Sequence, residues 1–116
     1  MTSINELFDE AAYTYTIGNF EDAAHKFQSL VDKRHAPAAT YLAEMYQRGE
    51  GVSRNVARAI ELLEQAIEWG DPLAAYNLGA WYRSGAFGIA QDKDKSKRYF
   101  LQARTMGCTI PVNDYL

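Results

Sequence analysis

Two stretches of the chain are near-copies of each other, and this limits the possible folds more than any other feature. Ala38, Ala39, Leu42, Tyr46 and Gly49 recur 36 positions later as Ala74, Ala75, Leu78, Tyr82 and Gly85. Beyond that glycine the offset becomes 37, because the second copy holds one extra loop residue. Gly51 and Val52 then match Gly88 and Ile89, Ala59 matches Ser96, Ala66 matches Ala103, and Gly70 matches Gly107. A period of roughly 20–50 residues marks repeat architectures, in which each unit buries its apolar face only by stacking on its neighbours.

The spacing inside each copy is helical. Val56, Ala59, Ile60, Leu63, Ala66 and Ile67 step by three and four along one face. The last copy carries Tyr99, Phe100, Ala103 and Met106 in the matching stretch. The alanines let neighbouring helices approach, and the larger side chains fill the space between them. The first third of the chain is a looser copy, with Leu7, Ala11 and Tyr15 on one stripe and Phe20, Ala23, Ala24, Phe27, Leu30 and Val31 on the next. The pattern predicts six helices, over about 3–17, 20–33, 37–48, 55–69, 73–84 and 93–106.

Punctuation agrees with this division. Gly18 suits a left-handed helix end. Pro37 and Pro72 fall in first turns, and Asp71 stands where a cap is needed. The loops Gly49-Glu50-Gly51-Val52 and Gly85-Ala86-Phe87-Gly88-Ile89 join the helices of a pair, with Val52 and Ile89 expected to turn inward. The chain reads as one all-α domain of three helix pairs, copies at about 4–35, 36–70 and 71–107, followed by a tail at 108–116.

Composition removes several function classes. The net charge of -3 argues against nucleic acid or an anionic membrane as main partner, since neutralising phosphates takes clustered Lys and Arg. No apolar run approaches the roughly 18 residues of a membrane span. The opening Met1-Thr-Ser-Ile-Asn-Glu lacks the basic and apolar regions of a secretory signal, and the single Cys108 allows no internal disulfide. A cytoplasmic location is the expectation.

Catalysis has little support. His25 and His35 lie at no metal-ligand spacing from each other or from Cys108. Cys108 has no histidine near it in sequence to activate it. Gly49-Glu50-Gly51 follows a helix rather than a strand and lacks a phosphate-binding lysine. Glu61, Glu64 and Glu68 form a solvated row on one helix. The run Lys93, Lys95, Lys97 and Arg98, interleaved with Asp92 and Asp94, reads as the exposed side of the last helix, with an anionic contact site as its functional alternative. No enzyme activity, cofactor or metal is expected.

The residues resemble the Sel-one-like repeat family, a relative of the tetratricopeptide repeat. The middle copy matches through Ala38, Leu42, Tyr46, Gly49-Glu50-Gly51-Val52, Arg58-Ala59, Ala66 and Gly70. The last copy matches through Ala74, Leu78-Gly79, Tyr82, Gly85, Gly88, Lys95-Ser96, Ala103 and Gly107. The first copy is similar to a tetratricopeptide unit through Gly18-Asn19-Phe20-Glu21-Asp22-Ala23 and Phe27. The resemblance covers about residues 5–107. Ala43 replaces the family's glycine, with a slightly wider helix pair expected there, and Ser96 replaces its alanine.

The resemblance implies a right-handed α-solenoid whose first helices line a concave binding groove. Carried onto this chain, that selects Phe8, Asp9 and Tyr15 in the first copy, with Asn5 and Ala12 beside them. It selects Tyr41, Glu44, Gln47 and Arg48 in the second, with Thr40, and Tyr76, Asn77 and Arg83 in the third, with Ala80 and Ser84. Tyr and Arg are enriched in binding hot spots; the structural alternative is that some of these tyrosines pack between repeats. A second candidate surface is the open C-terminal end, where Ile110, Val112, Tyr115 and Leu116 are expected to fold back over the last helix. The functional expectation is a module that binds a protein or peptide, monomeric or weakly self-associating through that end. An immunity protein neutralising a cognate toxin is one concrete case, and an assembly adaptor or chaperone is another. A small carboxylate-dependent enzyme is the alternative from a different class.

Overall fold

The computed structural model describes residues 2–112, and every regular element among them is helical. α1 spans Ile4–Thr16, α2 Phe20–Val31, α3 Ala36–Arg48, α4 Val56–Glu68, α5 Pro72–Ser84 and α6 Lys93–Thr105. A single 3-10 turn, Ala86–Gly88, sits in the last loop. Each helix packs mainly on its neighbours in sequence, α1 on α2, α2 on α3 and onward to α5 on α6, in an elongated stack of 43 × 28 × 22 Å. Nearest-neighbour packing of this kind defines a solenoid.

The helix starts follow from local chemistry. Ser3, Asn55, Asp71 and Asp92 accept hydrogen bonds from the backbone N–H groups of Glu6, Arg58, Leu73 and Lys95, satisfying donors that a helix leaves unpaired at its first turn. Pro37 and Pro72 occupy first turns of α3 and α5. The helix ends share one device. Gly18, Gly70 and Gly107 each adopt positive φ and donate to the carbonyl three residues back, while the next residue donates to the carbonyl five back. α2 closes in the same way on Arg34, at φ 59°. Asp32–Arg34 therefore form the closing turn, and α2 stops at Val31 instead of the expected residue 33.

The core runs through the whole stack. Ala23, Ala38, Ala39, Ala59, Ala66, Ala74 and Ala75 are wholly buried beside Phe27, Leu42, Leu63 and Leu78. α4 buries more than its predicted stripe: Leu62 is also fully enclosed, because α4 packs on both α3 and α5, whereas Val56 and Ile60 are only half-buried.

Departures from the repeat pattern are matched by changes elsewhere. A Cβ at Gly79 would lie 2.9 Å from the Phe100 ring. Glycine at 79 thus makes room for an aromatic ring, and the corresponding pair in the middle copy is Ala43 with the smaller Leu63. Ser96, in the register of Ala59, is buried and donates to the Gly79 carbonyl at 2.7 Å, so its hydroxyl is satisfied. Val52 and Ile89 are both half-buried, and Val52 packs against the core. Val112 in the tail is 3% exposed and Cys108 packs against the core, but Ile110 stays exposed. Tyr115 and Leu116 lie outside the described residues.

Candidate partner-binding surface

α1 and α3 bring four of the sequence-selected residues together. Phe8 and Tyr15 lie two turns apart on α1, and Tyr41 and Arg48 two turns apart on α3. The Tyr41 ring stacks on the fully buried Phe27 at 5.2 Å and meets Phe8 edge-on at 5.4 Å and Tyr15 edge-on at 6.4 Å. Tyr41 nevertheless keeps 38% of its surface exposed. It is a rigid ring presented to solvent on a core support.

A polar network edges this patch. The Tyr15 hydroxyl donates to Glu50 Oε1 at 2.8 Å and accepts from Arg48 at 3.2 Å, and Arg48 also faces Glu50 at 3.7 Å. Burial, with the hydrogen bond to the Glu50 carboxylate and its charge adding to it, raises the Tyr15 pKa, and Arg48 opposes the shift. Tyr15 is therefore a protonated donor near neutral pH. The network fixes Arg48 in place while leaving half of its side chain in water.

The other selected residues are distributed differently. Glu44 and Gln47 are half-buried on α3, Asp9 is exposed on α1, and Asn77 is half-buried on α5 in the register of Tyr41. Tyr76 turns to the other helix of its own pair, where its ring meets Phe100 edge-on at 5.6 Å. Thr40, in the register of Tyr76, is buried and donates to Asp71 at 2.6 Å, tying the start of α3 to the cap of α5. Neither belongs to the aromatic patch. Arg83 lines a cleft at the start of α6 instead, with Gln91, Lys93, Ser96 and Lys97.

Sequence reasoning passed over three contributors. Glu50 is drawn to Tyr15 by the turn between Gly49 and Gly51. His35 sits under Phe8 at 5.1 Å. Phe87, the bulky residue of the lengthened loop, takes a left-handed φ of 59° and packs edge-on against Trp81 at 5.0 Å while remaining 38% exposed. Among the described residues no group of three His, Cys, Asp or Glu is placed to hold a metal ion, and no helix is long and apolar enough to cross a membrane.

The Sel1 repeat family model matches residues 36–71 and 72–108. The chain belongs to the Sel1 repeat family. These two Sel1 repeats are α3–α4 and α5–α6 with their loops. The chain is 36% identical over 87 residues to the Neisseria meningitidis protein NMB1327, covering 75% of this chain and 18% of that one. It is 32% identical over 78 residues to the chitin synthase regulator SKT5 of Saccharomyces cerevisiae, covering 66% of this chain and 11% of the regulator. The chain thus spans less than a fifth of either relative.

Two solved Sel1-type structures share the fold. The Sel1 repeat protein of Oxalobacter formigenes superposes with a TM-score of 0.78 over 91% of this chain and 44% of the other, at 23% identity. The protective antigen c5321 of uropathogenic Escherichia coli superposes with a TM-score of 0.50 over 90% of this chain and 31% of the other, at 18% identity. Sel1 repeat proteins generally mediate protein–protein interactions and are typically not enzymes.

Proposed function

We propose that this Sel1 protein is an interaction module whose partner, a protein or peptide, docks on the face formed by α1 and α3. The observation that carries this reading is the Tyr41 ring, 38% exposed yet held on three sides by Phe27, Phe8 and Tyr15. A ring already fixed in position loses little conformational freedom when a partner covers it. Arg48, oriented by Tyr15 and Glu50, supplies a polar anchor at the edge of the patch. Glu44 and Gln47 on α3, and Asn77 in the same register on α5, extend the face toward the last pair.

Within this class, neutralising a toxic effector is one concrete role and guiding an assembly is another. Co-expression with a candidate toxin separates them, because only a neutraliser rescues growth. The reading places the protein in a reducing cytoplasm, where the half-buried Cys108 remains a thiol.

The test is affinity capture from the native cell with mass spectrometry, followed by binding measurements on the captured partner. Replacing Tyr41 and Arg48 together by alanine is expected to weaken binding about tenfold or more while circular dichroism keeps its helical amplitude. Unchanged affinity in that double variant would move the interface off this face.

A further inference from the structure

α6 differs from its counterpart α4 in a systematic way. Where α4 carries Val56, Ile60 and Ile67, the 37-residue register places Lys93, Lys97 and Arg104 on α6. Glu61 and Glu64 give way to Arg98 and Leu101. With Lys95, α6 holds five of the twelve basic residues against one acid, Asp94, while residues 1–92 hold thirteen acids against seven bases. The basic end belongs to an otherwise acidic molecule.

These side chains line adjoining clefts. Lys97, Arg98 and Arg104 surround Leu101 in an open groove of about 320 Å³, and Leu101 is 46% exposed. Lys97 also shares the neighbouring cleft of about 260 Å³ with Arg83 and Lys93. In the first two pairs, three of the six basic side chains meet carboxylates: Lys26 meets Glu10 and Asp22, Arg48 meets Glu50, and Arg58 meets Glu61. Among the described residues, no carboxylate forms an ion pair with Lys93, Lys97 or Arg98.

We propose that this face of α6 is a second docking surface, distinct from the α1–α3 face, for a short acidic segment of a partner protein that seats an apolar side chain on Leu101. Carboxylates on such a segment pair with Lys93, Lys97 and Arg98, and an apolar side chain covers Leu101. The dimensions select against nucleic acid. A thirteen-residue helix is about 20 Å long, so the basic face is short, and residues 1–92 around it carry thirteen acids against seven bases. A sugar-phosphate backbone also gives Leu101 nothing to pack against. Opposite charge steers the encounter, and salt therefore weakens it.

The experiment titrates the full chain into a short fluorescein-labelled peptide of glutamates and leucines and reads fluorescence anisotropy. The same peptide with serine in place of leucine, and an oligothymidylate of equal length, serve as comparisons. The leucine peptide is expected to bind about tenfold more tightly than the serine peptide, with affinity falling as salt rises. Lys97→Glu with Arg98→Glu is expected to weaken binding tenfold or more, and Leu101→Ser to erase the preference for leucine. All three side chains are exposed, so circular dichroism is expected to match the unaltered protein. The Tyr41→Ala, Arg48→Ala variant retains full peptide binding, which separates this surface from the one on α1 and α3. Equal binding of the two peptides, tighter binding of the oligothymidylate, or indifference to the α6 substitutions would each overturn the proposal.

Discussion

Tyr41 and Phe27 stack on each other yet answer to different pressures. Phe27 is wholly buried, and Phe27→Ala is expected to cost about 3–5 kcal/mol in urea unfolding. Tyr41→Ala removes a half-covered ring and is expected to cost about 1 kcal/mol, near the worth of its ring contacts. Two glycines in matching loops divide in the same manner. Gly51, at φ 73°, lies directly against the Phe20 carbonyl where α2 begins, and an added Cβ would fall on that backbone. Gly88, at φ 80°, has open space in the same direction. Both alanine variants bear left-handed strain, but Gly51→Ala is expected to lower the melting temperature well beyond Gly88→Ala. Side-chain direction was the part of the site least legible from sequence. Successive helical residues point about 100° apart, so Tyr41 corresponds to Asn77, and Tyr76 to Thr40. Aligning the copies residue by residue assigns Tyr76 to the packed side, whereas counting tyrosines on first helices assigns it to the surface.

Six helices were readable because stripe, caps and closing glycines all agreed, and boundaries fell within one or two residues. The hidden part was what couples the elements. Leu62 is enclosed because α4 has neighbours on two sides, which a single-face stripe does not express. The end of α2 was misjudged because Arg34 performs a turn that glycine performs in α1, α4 and α6. Left-handed geometry costs a non-glycine residue about 1–2 kcal/mol, and glycine gives back about 0.5–1 kcal/mol in backbone entropy. Arg34→Gly is accordingly expected to raise the denaturation midpoint modestly, by up to about 1 kcal/mol of stability. The residue that follows carries a pH dependence. Burial holds the His35 pKa below its ordinary value, and its Nε2 atom is enclosed with no hydrogen-bond partner among the described residues. The unfolded chain binds a proton on His35 near pH 6.5 and the folded chain only at lower pH. This contribution to stability is complete above about pH 6.5 and declines as pH falls through the folded value. Urea midpoints measured from neutral to mildly acidic pH are expected to fall in the native protein, and less so in His35→Phe.

Taken whole, the molecule is a short stack with acidic pairs followed by a basic last helix. The fold followed from period and spacing, since a unit that buries its face only on its neighbours has few other arrangements. The charge gradient was also written in the sequence, but the cleft that joins Arg83 to Lys93 and Lys97 depends on how α6 lies against α5. The Gly51 loop has a consequence for how such a stack comes apart. Gly51 lies against the backbone of the first turn of α2, so this contact is lost when the first pair lifts away, even while α3 and α4 remain folded. Hydrogen–deuterium exchange in the Phe27→Ala variant is therefore expected to quicken across α1 and α2, ahead of α5 and α6. The Gly51–Phe20 contact therefore marks whether the first pair is docked on the second.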